Sequence, residues 1–189
     1  ALLESIQFDT ENNKNSTVIS VKYPINDYSG FIYNPNNERS SWGNWSSSSY
    51  YMGKKVKVAS KPKGLLAKWA EVHTDLSIEL PVEQYSKVKL VSGAIEAQDL
   101  NNDITLDTSS GKIRITDSEG KVNADTGSGS VIIENFSGFV KADTGSGSIS
   151  ITNANGDVDA DTGSGSIKIN KVTGDVKADT GSGSVTVND

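Results

Sequence analysis

A six-residue string, Asp-Thr-Gly-Ser-Gly-Ser, occurs four times and begins at Asp125, Asp143, Asp161 and Asp179. The spacing is 18 residues each time. A degenerate copy begins at Asp107 in the same register, and a fainter match at Ser92-Gly93 carries the repeat back to about Lys89. A repeat of this length is one structural unit that buries its apolar face by stacking on its neighbours. The sequence therefore predicts a tandem-repeat solenoid.

Apolar residues alternate with polar ones inside each repeat, which predicts β-strands. Val122 and Ala124 are even-numbered whereas Val131 and Ile133 are odd-numbered, so the chain must turn a corner between them. A second corner near residues 135–139 restores the parity, and glycines lie at both corners. We therefore predict an all-β, single-stranded β-solenoid (β-helix) with 18-residue coils and two strands per coil. Its five to six coils would stack at about 4.8 Å.

The chain ahead of the repeat is predicted to form a cap in the same compact unit. Residues 72–189 form the solenoid, which begins with an alternating strand from Val72 to Leu80. Residues 1–71 form an N-terminal β cap, because a solenoid end must be covered to stay soluble. Within this cap, residues 6–21 read as a β-hairpin and Lys54–Ala59 reads as a further strand.

Composition excludes several classes of function. The chain has no cysteine and a single histidine, His73, so thiolate chemistry, cysteine zinc sites and most imidazole chemistry are excluded. The net charge of −6 arises within residues 101–189, which makes nucleic acid and anionic membranes poor partners. Apolar runs such as Leu65-Leu66-Ala67 are far shorter than a membrane span. No signal-peptide pattern opens the sequence, so any export signal has been removed or never existed.

The Asp-Thr-Gly-Ser units invite two chemical interpretations. Aspartic proteases carry this tetrapeptide, but they need two carboxylates that face each other and share a proton. Tandem copies would instead place their carboxylates in a row along the solenoid. Such a row could also bind Ca²⁺, although calcium-binding β-rolls repeat every nine residues. We favour a structural role and predict no catalytic residue, metal or cofactor.

The parity of the residue numbers predicts a structural role for the aspartate and for the threonine of this motif. Asp125 points to solvent and can bond backbone N–H groups in the following turn. Thr126 points inward, where its hydroxyl is expected to bond its counterparts in the threonine column. An inward threonine row also leaves no flat outward threonine array of the kind that binds ice.

Residues 23–53 differ from the rest of the chain in composition. They are rich in Ser and Asn, show no strand periodicity and hold eight of the thirteen aromatic residues. Rigid aromatic side chains among small polar residues are typical of binding loops. The candidate ligand-binding residues are Tyr33, Trp42, Trp45, Tyr50 and Tyr51. The alternative is that this insertion is simply part of the cap.

Residues 76–81, Leu-Ser-Ile-Glu-Leu-Pro, precede tandem Ser-Gly-x-Ile/Val units at Ser92, Ser110 and Ser128 onward. With these features, residues 72–189 resemble a bacterial, adhesin-like family of β-strand-repeat domains of unknown function. The resemblance implies an extracytoplasmic protein of the cell surface or envelope, or a secreted one, and brings no catalytic residues with it. The aromatic insertion departs from the short N-terminal strands usual in that family.

These expectations together favour a non-enzymatic, adhesin-like β-solenoid scaffold that acts outside the cytoplasm. Two alternatives remain open. The protein could be a carbohydrate- or protein-binding module that contacts a surface glycan or protein through residues 23–53. It could also be a purely structural spacer. Each alternative keeps the same fold and differs only in what the surface contacts.

Overall fold

The computed structural model describes the backbone of residues 7–13, 16–22, 30–32, 46–51, 54–59, 69–71, 78–80, 84–90 and 93–188, and the side chains of those from residue 78 onward. Every regular element in these ranges is a β-strand. The chain divides into two compact units, Ala1–Ser77 and Ile78–Asp189.

The first unit contains two sheets. Strands β1 (Gln7–Asn13) and β2 (Ser16–Lys22) pair antiparallel, with Asn13 opposite Ser16, which confirms the predicted hairpin. The second sheet contains β3 (Gly30–Ile32), β4 (Ser46–Tyr51), β5 (Lys54–Ala59) and β6 (Trp69–Glu71) in the order β4-β5-β3-β6.

The predicted strand at Lys54–Ala59 is therefore present as β5, whereas β3, β4 and β6 were not predicted. Strands β3 and β4 lie within residues 23–53, whose sequence shows no strand periodicity. Strand β4 pairs antiparallel with β5 through backbone hydrogen bonds, and its run of four serines from Ser46 to Ser49 gives no alternating apolar signal. A sheet can form there without the pattern that sequence analysis detects.

The second unit is the predicted β-solenoid, with about six turns. Its strands are β7 (Ser86–Leu90), β8 (Ile95–Gln98), β9 (Ile104–Thr108), β10 (Ile113–Thr126), β11 (Val131–Ser146), β12 (Ile149–Asn155), β13 (Val158–Ser164), β14 (Ile167–Val172), β15 (Val176–Ser182) and β16 (Val185–Asn188). All of its strand pairs are parallel, and each residue pairs with the one 18 positions away. The predicted 18-residue coil is thus confirmed.

The core consists of columns of identical or similar apolar residues between the two faces of each coil. Val122, Val140 and Val158 stack in one such column and are at most 2% exposed. Ile113, Val131, Ile149 and Ile167 form a second column on the opposite face. The alternation of inward and outward residues follows the predicted parity along β10 and β11.

The second corner lies within the predicted residues 135–139, but the residue at which the parity changes is not the glycine. The parity change occurs at Asn135, which adopts a left-handed backbone conformation with φ of 54°. Its equivalents in neighbouring coils, Asp117, Asn153 and Lys171, have φ values of 50 to 56°. Asn and Asp tolerate this conformation better than other non-glycine residues. Gly138 follows with φ of 122° and completes the corner.

The start of the solenoid also differs from the prediction. Of the strand predicted from Val72 to Leu80, residues 72–77 lie outside the described residues, and Ile78–Leu80 are not in a strand. The first solenoid strand is β7, whose residues Ser86–Leu90 pair with β9. Leu80 packs against the core without joining a sheet, so its apolar character reflects burial rather than strand pairing.

Candidate functional site

The outward aspartates of the repeat form a single column along one face of the solenoid. Each pairs in register with the next, in the order Asp107, Asp125, Asp143, Asp161 and Asp179. The ammonium group of Lys89 lies 2.6 Å from Asp107 and caps one end of the column. These carboxylates follow one another on adjacent strands, an arrangement different from the opposed pair of an aspartic protease.

Repulsion between neighbouring carboxylates affects the pKa of the aspartate in the middle of this column, Asp143. Burial raises the pKa of Asp143, and the neighbouring carboxylates Asp125 and Asp161 raise it further. Lys141 beside it acts in the opposite direction, and Asp159 adds a smaller increase. The column therefore holds Asp143 in a site where its charged form is less stable than in water.

A pH dependence of stability follows from the raised pKa of Asp143. Because the folded state binds the proton more tightly than the unfolded state, this group should raise the free energy of unfolding as pH falls from 7 through its folded pKa toward 3.8, its ordinary value. Asp143→Asn should lack this contribution. The wild-type free energy of unfolding minus that of Asp143→Asn, from urea titrations between pH 7 and 4, should rise as pH falls. A pH-independent or falling difference would contradict this prediction.

The inward threonines bond differently from the prediction. Each threonine hydroxyl donates to the carbonyl oxygen of a glycine 15 residues earlier, and not to another threonine. These bonds join Thr108 to Gly93, Thr126 to Gly111, Thr144 to Gly129, Thr162 to Gly147 and Thr180 to Gly165, at 2.9–3.2 Å. The glycine carbonyl of the preceding coil lies within hydrogen-bond distance of the threonine hydroxyl, and it is the acceptor in all five bonds.

The glycine that accepts this bond also lies at the closest backbone contact between coils. A Cβ atom added to Gly147 would overlap the carbonyl oxygen of Gly129 in the preceding coil. Thr144 and Gly147 therefore act together, because the glycine lets the backbones approach and the threonine hydroxyl joins them. Stacking therefore explains the threonine and the second glycine of the motif.

A concave surface of the solenoid lies beside the left-handed corner. It is a shallow groove of about 490 Å³ lined by Gln98, Arg114, Thr116, Asp117, Glu134, Asn135, Thr152 and Asn153. Side-chain amides bridge its corner residues. Asn135 donates to Asp117 at 2.8 Å, and Asn153 donates to Asn135 at 2.9 Å. Arg114 forms an ion pair with Glu134 in the same groove.

This groove was not predicted, although its corner residues recur every 18 positions. Asp99, Asp117, Asn135 and Asn153 are all Asp or Asn, a regularity that the sequence does show. Its polar side chains are largely bonded to one another across coils. The side chains of the groove therefore serve mainly to join neighbouring coils.

The candidate ligand-binding residues fall in the first unit. Tyr33, Trp42 and Trp45 lie outside the described residues. Tyr50 and Tyr51 end strand β4, of which the backbone alone is described. The binding-loop prediction thus stays a prediction.

Within the ranges that the structure describes, no group of three or more His, Asp or Glu side chains could hold a metal ion. The same residues include no helix of sufficient length and apolarity to cross a membrane.

Comparison with known proteins gives one match. The family model Toastrack DUF4097 matches residues 48–188, three quarters of the chain. The match includes β5, β6 and the whole solenoid. No curated protein and no solved structure matches the sequence significantly.

Proposed function

Because the chain belongs to the Toastrack DUF4097 family of β-repeat domains, whose function is unknown, we propose a role from its own structure. The protein is a non-enzymatic, adhesin-like scaffold that acts in the bacterial cell envelope or after secretion. Its solenoid supplies a stiff, repetitive surface that contacts other surface components. The extracytoplasmic location is supported by the family resemblance carried by the Ser-Gly-x-Ile/Val repeats.

The proposal rests on one observation: the threonine hydroxyls of the repeat are used to join neighbouring coils. Threonine hydroxyls, which could act in catalysis elsewhere, donate to glycine carbonyls of the preceding coil. Aspartates lie in an outward-facing column in which each faces another aspartate or, at Asp107, a lysine. A motif whose threonines are used in stacking and whose aspartates lie in one row, without the opposed pair that a protease needs, is typical of a structural repeat and not of an active site.

The outward face beside the aspartates favours a contact surface. Its second column alternates in charge from coil to coil, with Lys141, Asp159 and Lys177 in register. Lys177 approaches Asp159 at 3.3 Å, so neighbouring coils partly neutralise each other. The aspartate column beside it does repeat at every coil, so it offers the same weak contact several times, and repeated weak contacts add to a strong attachment.

An attachment assay tests this function. Beads coated with the 189-residue chain should adhere to envelope or host-surface preparations more strongly than beads coated with Val140→Asp, which breaks a core column. Asp143→Asn should adhere like the wild type, because asparagine keeps the size and the local hydrogen bonding of aspartate and removes one charge from the column. Fractionation of the source bacterium with an antibody to the chain should place the protein outside the cytoplasm. Acid protease activity lost in Asp143→Asn, or a cytoplasmic location, would overturn the proposal.

A further inference from the structure

Two exposed aromatic side chains lie in one outward column of the solenoid. Tyr85 and Phe139 are 54 residues apart, which is three repeats of 18. The residues that follow them, Ser86 and Val140, belong to one column of paired strands. Tyr85 is 65% exposed and Phe139 is 37% exposed. Three coil steps of about 4.8 Å place the two residues about 14 Å apart along the solenoid axis.

Both rings are held in place by contacts with the next or the preceding coil. The hydroxyl of Tyr85 donates to the hydroxyl oxygen of Thr105 at 3.1 Å. The ammonium group of Lys121 lies 5.5 Å from the centre of the Phe139 ring, which is a cation–π contact. Because these contacts already restrict the two side chains, a ligand that stacks on the rings would lose little free energy in ordering them.

The surface around the two rings is polar and carries no net charge. Asn123 lies on the same outward face between them, and Asp103 accepts the backbone N–H of Lys121 at 2.8 Å. Lysines and aspartates are equally numerous, at four each, in the four coil segments 85–89, 103–107, 121–125 and 139–143. The equivalent segments of the next two coils, 157–161 and 175–179, hold five aspartates and one lysine. The rings therefore lie where the charges of this face balance.

We propose that the outward surface from Tyr85 to Phe139, here called the Tyr85–Phe139 surface, binds an uncharged linear glycan that lies along the solenoid axis. This inference names a partner for the contact surface proposed above and rests on that proposal. The electron-rich face of an aromatic ring attracts the C–H groups of a sugar ring. Polar side chains between the two rings can bond the sugar hydroxyls and fix the position of the chain.

The same features fit other partners less well. A folded protein partner concentrates its binding energy in one contiguous, dehydrated cluster of anchors. The rings of Tyr85 and Phe139 form no such cluster, because the charged residues Asp103 and Lys121 lie between them in the same column. A polyanion or polycation would gain little from a surface on which positive and negative charges balance.

Calorimetric titration of the full chain with cellohexaose and chitohexaose, two uncharged linear hexasaccharides, tests this site. At least one of them should bind with a dissociation constant of about 1 mM or tighter. Tyr85→Ala and Phe139→Ala should each raise that constant by about 5-fold or more. Phe139→Tyr keeps an aromatic ring and should stay within about 2-fold of the wild type. Lys168→Ala, at an exposed position on the opposite face, should change nothing.

The length of the ligand tests whether both rings belong to one site. The matching disaccharides, cellobiose and chitobiose, are too short to span both rings and should bind at least about 10-fold more weakly than the hexasaccharides. Removing either ring should bring the affinity for the hexasaccharide toward that for the disaccharide. Circular dichroism of each variant should match the wild type, because both side chains are exposed. Tyr85→Ala, which removes the more exposed ring, keeps the test valid if Phe139→Ala fails to fold.

Three results would overturn the inference. The wild type could bind neither hexasaccharide, which would remove the glycan site even if coated beads still attach to envelope preparations. Binding could be insensitive to loss of Tyr85 and Phe139 but lost in Trp42→Ala/Trp45→Ala, which would place the site in the first unit. An oligogalacturonate could bind more tightly than both hexasaccharides, which would identify negative charge as the recognised property. Hexasaccharide binding by a protein that fractionates with the cytoplasm would instead support this site and overturn the proposed location.

Discussion

Val140→Asp should unfold the solenoid or lower its free energy of unfolding by about 4 kcal/mol or more. Val140 is fully buried, with Val122 and Val158 on either side in the same column, so the new carboxylate would have no water and no cation nearby. Urea or thermal unfolding followed by circular dichroism measures the loss.

Lys141→Asp is the matched control, because it introduces the same side chain one residue further along the same strand. Lys141 is exposed, so this change should cost less than about 1 kcal/mol even though it adds a carboxylate beside Asp143. Equal losses at the two positions would contradict the assignment of inward and outward residues.

Gly147→Ala should lower the free energy of unfolding by about 3 kcal/mol. The added methyl group would meet the carbonyl oxygen of Gly129, a backbone atom that cannot move without shifting the whole preceding coil. The same shift would lengthen the hydrogen bond from Thr144 to Gly129, which is 3.0 Å in the structure. Equilibrium unfolding of the variant and the wild type under the same conditions gives the difference.

Two neighbouring substitutions calibrate this result. Gly145→Ala should cost less, because its Cβ would lie 2.8 Å from the carbonyl oxygen of Gly127 and needs a smaller adjustment. Ser146→Ala should be nearly neutral, because Ser146 is exposed. If Gly147→Ala were as harmless as Ser146→Ala, the coils would not depend on close contact at this glycine.

The columns of the solenoid could be predicted because each requires one apolar residue at a fixed parity, a property of single positions. Val140 and Ile149 show this directly, since their numbers alone place them on opposite faces of the coil. The hydrogen bond from Thr144 to Gly129 could not be predicted in the same way. It joins residues 15 apart in a repeat of 18, and this offset depends on how far the chain travels around the corner.

The left-handed corner and the strands of the first unit were harder to predict from the sequence, because neither depends on the type of a single side chain. Lys171 adopts φ of 55° although lysine has no preference for that conformation, because the coils before it impose their path on the chain. Strand β4 pairs with β5 through backbone hydrogen bonds, which any residue type except proline can form, so its sequence carries no signal of the pairing. The candidate binding residues Tyr33, Trp42 and Trp45 rest on composition alone, which indicates a chemistry but fixes no geometry.

Each strand residue of the solenoid pairs with the one 18 positions away, so the solenoid is built from structural units of one fixed length. Deleting or duplicating one whole coil, such as residues 143–160, would rejoin Ala142 to an equivalent aspartate and leave every face in phase. Loss of a single residue would instead exchange the buried and exposed sides of the strand that contains it. Gene duplication can therefore lengthen this molecule in steps of about 4.8 Å without redesigning its surface.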